Sequence, residues 1–454
     1  MKYFNKPLYC CGIVALLFYV SFIAACTNSN KGPGAGVKWT NYPSLAAPTK
    51  TKTYRWLVIK CQLSDVPTIP PGLDASIVQF FGISGAGYGN LVDYFHDVSY
   101  NHASVIADKF LGWISVPISK GDVSGTGRLA AQASRKQRVL ECLRALPADQ
   151  LSDLDEFYGV VIINNSIQDG GAASVGPSTF TINNKNFNLA SVWFDPKSLS
   201  TEFAAHEMLH GLGLDHSYDE SGRDCGARPG EYCDPWDIMS AQRTYQFVDN
   251  NFLFAGGPTG GGPGLNAPGL LRMDWIPVAN QRQFDFEGGE QVFKIRALSR
   301  PRGTEPLVVI FDVGSQLPFE GTYTIEYRQG DGWDLGFVKS LSPSPIVQAS
   351  GGTVLVHQYR RVGAPASTLI NGAFAAILQP CNTLVLNGVD GAFHVSVLSF
   401  DIADGSATVS IGFGKGRFMP CGVFKNSDLD GMRAHQSPGD VIKNPDTSPA
   451  KLPH

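Results

Sequence analysis

HEMLHGLGLDH, residues 206–216, gathers three of the chain's nine histidines and one glutamate into one short run. If its first part is helical, His206 and His210 project from one face a turn apart, because residues four apart superpose on a helix of 3.6 residues per turn. Two imidazoles so placed can grip one metal ion. Glu207 stands one step round the helix, within reach of a metal-held water without being a ligand. Gly211 and Gly213 tolerate the backbone angles that stop a helix and turn the chain, and the turn brings His216 back as a third ligand. Three protein nitrogens leave the fourth position of a tetrahedral zinc for water, the mark of a catalytic site. Zinc lowers the pKa of such a water to about 7 and polarises a carbonyl, while Glu207 takes the proton and passes it to the leaving amine. The core HExxH arises by chance in roughly 1% of chains this long, and the added glycine and third histidine make coincidence far rarer.

These residues resemble the metzincin metallopeptidases, whose pattern is H-E-x-x-H-x-x-G-x-x-H followed by a methionine turn. His206, Glu207, His210, Gly213 and His216 all match. The resemblance implies a zinc endopeptidase acting on protein or peptide substrates, with one catalytic ion, Glu207 as general base and Met239 of DPWDIMS (234–240) as the apolar floor beneath the metal. Many metzincins carry a tyrosine two residues after that methionine. Here the position is Ala241, and Tyr245 is the nearest candidate for an oxyanion donor. NLVDYFHDVSYNHASV (90–105), LNAPGLLRMDWI (265–276) and TYTIEYRQGDGWD (322–334) are similar to segments of the immune inhibitor A and gametolysin groups, so the likeness spans residues 54–413. Immune inhibitor A proteins often have an acidic residue in place of the third histidine, which keeps Asp215 and Asp219 as alternatives to His216. In zincins the edge strand before the metal helix pairs with an extended substrate by strand addition. By that resemblance Ala190, Ser191 and Val192, in NLASVWF (188–194), are expected substrate contacts, or else an edge that merely closes the sheet.

Towards the amino end, Lys2 and Lys6 precede an uncharged apolar run from Leu8 to Ala25, the pattern of an export signal. Ile23-Ala24-Ala25-Cys26 resembles the bacterial lipobox, in which cleavage leaves the cysteine to carry lipid. The expectation is a lipoprotein signal peptide over 1–25, lipidation at Cys26 and a flexible tether over 26–53, rich in Gly, Pro, Ser, Thr and Asn. An uncleaved membrane anchor and simple secretion are the alternatives, since the apolar run sits at the lower limit of a spanning length. All three place the protein outside the cytoplasm, and the first puts it on the periplasmic or outer cell surface. With Cys10 and Cys11 in the signal and Cys26 lipidated, six of nine cysteines remain, an even number where disulfides form. Cys225 with Cys233 is the leading pair, and Cys61 with Cys142 and Cys381 with Cys421 are further pairings. Buried free thiols are the competing reading.

A chain of 454 residues exceeds one compact core, so two domains are expected. With 43% hydrophobic and 17% charged residues, disorder throughout is excluded, and a formal charge of -4 without a basic cluster argues against nucleic acid. The expected fold is α+β. Residues 54–285 read as a zincin-like metallopeptidase domain, a mixed twisted sheet with a zinc-binding helix. Within it lie a strand from Trp56, helical spacing at Leu91, Val92, Phe95 and Val98, a second helix over 127–146 and a buried strand from Val160 to Ile163. Ser198 or Ser200 can cap the metal helix. Beyond Trp275 the texture alternates, Tyr323, Ile325 and Tyr327 facing one way and Thr324, Glu326 and Arg328 the other, which predicts a β-sandwich over 286–413.

Residues 414–454 lose the pattern and read as a loose C-terminal tail. There Asn426, Asp428, Asp430 and Gly431 echo a calcium loop, but Ser437 stands where a glutamate would close it. GGPTGGGPG (256–264) lacks the ending of a phosphate loop and reads as a flexible surface connection. Asp219, Glu220, Asp224, Glu231, Asp234 and Asp237 crowd the stretch after His216. They are either a solvated surface or an acidic wall favouring basic substrate side chains. The function expected is a zinc-dependent endopeptidase of the cell envelope. The rival is a surface adhesin or carbohydrate-binding protein in which the sandwich acts and the zinc domain is vestigial. An intact Glu207 argues against it.

Overall fold

Val160 to Ile163 are all buried, and a strand with no exposed face needs cover on both sides. The structure, a computed structural model, describes residues 51–413 except 83–89, 125–134, 168–170, 255–256, 286–288, 313–320, 340–351, 371–377 and 388–391. The expected signal peptide, Cys26, the tether, the tail and Asn426 to Ser437 lie outside the described residues. The fold is mixed α+β.

The first sheet contains β1 (Lys52–Leu63), β2 (Ala103–Val116), β3 (Gly159–Asn164), β4 (Gly171–Ala173), β5 (Ser178–Ile182) and β6 (Lys185–Phe194). Its order is β2-β1-β3-β6-β4, with β5 also paired to β6. β1, β2, β3 and β6 run parallel, while β4 and β5 are antiparallel to β6. Six helices accompany it in the sequence: α1 (Leu73–Gly82), α2 (Leu91–Val98), α3 (Lys120–Ser124), α4 (Arg135–Arg144), α5 (Ala148–Ser152) and α6 (Thr201–Gly211). Period-two alternation sorts the strand residues between two cores. Val161, Ile163 and Val192 join Phe95 of α2 and Met208 of α6, whereas Val160, Ile162 and Trp193 join Val139 and Leu143 of α4. Asn90 starts α2 by accepting from Val92 N (2.7 Å) and Asp93 N (3.2 Å), so the expected helix and the following strand fall where the spacing puts them. A disulfide from Cys61 on β1 to Cys142 on α4 crosses one face.

After α6 come β7 (Tyr218–Asp219), the hairpin of β8 (Phe247–Phe254) and β9 (Gly257–Gly261), and α7 (Ala267–Arg272). Then follow β10 (Gln281–Gln283), β11 (Gln291–Arg296), β12 (Val308–Asp312), β13 (Thr322–Gln329), β14 (Gly352–Tyr359), β15 (Ser367–Leu369), β16 (Thr383–Asn387), β17 (Ala392–Asp401) and β18 (Ser406–Phe413). They form a sheet of order β10-β12-β13-β14-β15-β7 and another of order β11-β18-β17-β16. Tyr323, Ile325 and Tyr327 of β13 share one core with Val395 and Val397 of β17. Thr324, Glu326 and Arg328 point the other way and are just as buried, at 0% exposure. β7 and β10 precede residue 286, so this sheet draws strands from both sides of the expected domain boundary, and the described residues belong to one compact unit.

The glycine run is not a surface connection. Its end is buried, and Gly262 (φ +66°) lies so close to Trp333 that a Cβ would come 1.9 Å from the Trp333 carbonyl oxygen. Glycine is there because no side chain fits. Among the described residues no helix is long and apolar enough to cross a membrane.

Candidate metal centre

Ser200 caps α6, its hydroxyl accepting from Phe203 N (3.3 Å), while Ser198 instead binds Asp195. The far end closes by the paired bonds of a Schellman turn, Leu214 N to Leu209 O (3.0 Å) and Gly213 N to His210 O (2.8 Å), with Gly213 at φ +104°. Leu209 and Leu214 lie in the same core beneath it. That turn also orients a candidate ligand: Leu214 O accepts from His210 Nδ1 at 2.7 Å. His206 Nδ1 is held by Ile238 O at 2.9 Å. Both rings therefore present Nε2, and the two Nε2 atoms stand 3.0 Å apart. A tetrahedral set with bonds of about 2.0–2.1 Å spaces its donors by about 3.3 Å, so the pair needs almost no adjustment to share an ion.

His216 completes the set. Its Nδ1 meets Glu231 Oε1 at 2.6 Å, and one donor atom from each of His206, His210 and His216 lies within 4.8 Å of the others. A carbonyl or carboxylate behind every ring fixes tautomer and orientation. Burial drives His206 well below the ordinary histidine range and His210 down to about 4, with neighbouring imidazoles adding to both effects. The His206 and His210 rings are thus neutral at physiological pH, the form that binds metal. The acidic alternatives are engaged elsewhere: Asp215 faces Arg272 (3.5 Å), and Asp219 is buried against Arg223 (2.7 Å).

Glu207, next to His206 on α6, reaches β4. Burial raises its carboxyl to about 7, opposed by the Arg135 charge and by a hydrogen bond from the Ala173 backbone. The catalytic candidate thus touches the edge of the first sheet. That edge is β4, not the stretch expected from the sequence: Ala190, Ser191 and Val192 pair with Gly159, Val160 and Val161 of β3, and Val192 also pairs with Ala173 of β4. They are interior, with no free backbone edge to offer. Beside β4 lies a hollow lined by Arg135, Lys136, Ala173, Ser174, Phe180 and Trp193.

Met239 is buried in the core that takes the inner side of α6, and its carbonyl accepts from Ser217 N (3.1 Å). Tyr245 is not at the histidines. Its ring packs against Trp236 (4.8 Å) and Phe337 (5.9 Å), because proximity to Met239 in sequence does not carry it round the turn. The tyrosine that does arrive is Tyr232, whose hydroxyl lies 2.6 Å from His216 Nε2. Burial, Glu231 and Glu207 raise its pKa, so the phenol keeps its proton. Cys225 and Cys233 are bonded, closing the loop that carries Glu231 and Tyr232. Cys381 is also disulfide-bonded, and Cys421 lies outside the described residues. The acidic stretch is divided: Asp219, Glu231, Asp234 and Asp237 are buried and bonded internally, while Glu220 and Asp224 are exposed.

Sequence reasoning missed Ile238, Glu231, Tyr232 and β4. The only signal for the loop pair was a Glu-Tyr step inside the Cys225 to Cys233 bracket. No protein-family model matches the chain, and no curated protein matches it either.

Proposed function

We propose that the protein is a zinc endopeptidase of metzincin type, exported to the cell envelope, with a zincin-like catalytic region and a C-terminal β-sandwich. One observation carries the reading: three imidazoles aim Nε2 at a common point, each with Nδ1 already bonded, beside a buried carboxylate that is not a ligand. A donor set of three imidazoles fits zinc. Bound there, zinc would supply Lewis acidity to polarise a carbonyl and to activate water.

The chain's own residues do the rest. Glu207 is placed to take a proton from water and return it to the leaving amine. The Tyr232 hydroxyl, still protonated, is placed to donate to an oxyanion. β4 offers an antiparallel edge along which an extended peptide can lie as an added strand. Two disulfides among the described cysteines support an oxidising compartment.

The test is to incubate the purified full chain with an unfolded protein, with and without chelator, beside Glu207→Ala. Cleavage should vanish on chelation, return with zinc, and fall by about 10²–10⁴ in the variant while metal stays bound. Metal retained by a wild type that cuts nothing favours a surface-binding role for the C-terminal sheets. Cleavage that persists in Glu207→Ala breaks the mechanism.

A further inference from the structure

The polar face of β13 runs into the loop that carries the metal ligands. Arg328 is fully buried, donating to Asp334 (2.8 and 2.6 Å) and Glu326 (3.1 Å), and it reaches the Gly264 carbonyl at 3.3 Å. The same carbonyl accepts from Ile238 N (3.4 Å), and the carbonyl of Ile238 is the one that holds His206 Nδ1. Three hydrogen bonds therefore connect the C-terminal sheet to a ligand.

A second route ends beside His216. Ser217, the next residue, donates its hydroxyl to Asp237 and its backbone N–H to Met239 O. Asp237 also accepts from Asn266 N (3.1 Å), and Asn266 Nδ2 donates to Ser367 Oγ on β15 (2.7 Å). β15 itself pairs with β7, which begins two residues after His216. Alongside, His357 on β14 contacts Asp234 (3.1 Å), and Glu326 Oε2 accepts from Ala267 N (2.5 Å).

Desolvating a charge costs several kcal/mol, and a buried ionic network often stabilises no more than an apolar core of the same shape. What such a network does supply is one defined geometry, and here one end reaches His206 through Ile238 and the other holds Ser217, the residue next to His216. We propose that the C-terminal sheet is a structural part of the metal centre, with Arg328 and Asp237 as positioning residues that fix His206 and His216. The inference rests on the metal-centre reading above and adds to it that residues before and after 286 build one site.

Metal affinity separates positioning from mere glue. In the full-length protein, Arg328→Lys, Asp237→Asn and Ser217→Ala are compared with wild type. Zinc affinity is measured by competition with a chromophoric chelator, cobalt(II) spectra report ligand geometry, and metal-free thermal unfolding shows which variants are folded at the assay temperature. Outer-shell changes typically weaken metal binding by about 10–100-fold. That loss, with a weakened or shifted cobalt spectrum in folded variants, is the expected result. Wild-type affinity and an unchanged spectrum in folded variants would overturn the inference while leaving the metal centre intact. A wild type that binds neither zinc nor cobalt overturns the underlying reading instead. Should Arg328→Lys not fold, Asp237→Asn and Ser217→Ala, which alter single bonds at the far end of the network, carry the same comparison.

Discussion

At the scale of residues, Tyr232 has the most to explain, because its phenol stands 2.6 Å from His216 Nε2, the nitrogen proposed to hold the metal, although nothing in the spacing points to it. Tyr232→Phe should lower kcat by about 10²–10³ with little change in KM, the signature of a donor used in the transition state. Steady-state kinetics near wild type would reduce Tyr232 to packing. Glu202, in the first turn of α6, poses a different test. Burial raises its carboxyl from 4.5 to about 8, and Oε1 has no hydrogen-bond partner. A carboxyl that ionises later in the folded state than in the unfolded one costs stability as pH climbs from about 4.5 to 8. Glu202→Gln should then melt roughly 2–4 °C above wild type at pH 9 and close to it at pH 5; equal melting temperatures at pH 9 would contradict the burial account. The histidines were legible because four-residue spacing is a property of one helix. Glu231 and Tyr232 were not, because their approach depends on a loop folding back on itself, and Tyr245 was chosen only for its nearness to Met239 in sequence.

Elements differ in how openly they declare themselves. α6 shows its start in Ser200 and its stop in Gly213, the one position where the turn needs a positive φ. β3 shows itself as an unbroken apolar run. β4 shows nothing: it is Gly171-Ala172-Ala173, without a β-branched or aromatic residue, and its role was assigned instead to the richer β6. Which strand forms an edge is a fact of topology, settled only when β3 occupies the other side of β6. Ala173→Pro removes the N–H that Glu207 accepts and interrupts the edge on which a substrate would lie. Peptide cleavage should drop at least about tenfold, a loss typical of removing one charge-assisted hydrogen bond, while bound metal is unchanged. Undiminished cleavage would show that substrate lies elsewhere.

Over the whole molecule, the sequence conveyed the two textures, a mixed helical and stranded region and then an alternating one, but not that they share a sheet. Alternation on β13 marked Tyr323, Ile325 and Tyr327 as core correctly. It gave no sign that Thr324, Glu326 and Arg328 are equally buried, because a polar residue reads as solvent-facing until its charged partner is known. Asp334 follows Arg328 by only six residues, but Ala267 and Gly264 lie 59 and 64 residues from the β13 side chains they meet, so only the fold brings them together. Residues 54–285 expressed alone lose β15 from beside β7 and the charges opposite Asp234, and breaking such buried pairs costs about 3–5 kcal/mol each. The fragment should show no cooperative thermal transition and no high-affinity zinc binding, whereas a stable, zinc-loaded fragment would restore the picture of two independent domains.

The central claim is that three histidine nitrogens converge on one catalytic zinc. Anomalous diffraction at the zinc edge, from crystals of the full chain grown with zinc, tests it most directly. The account predicts a single strong peak about 2.0–2.1 Å from Nε2 of His206, His210 and His216. A map with no peak there, or with the His216 ring turned away from the other two, would contradict it.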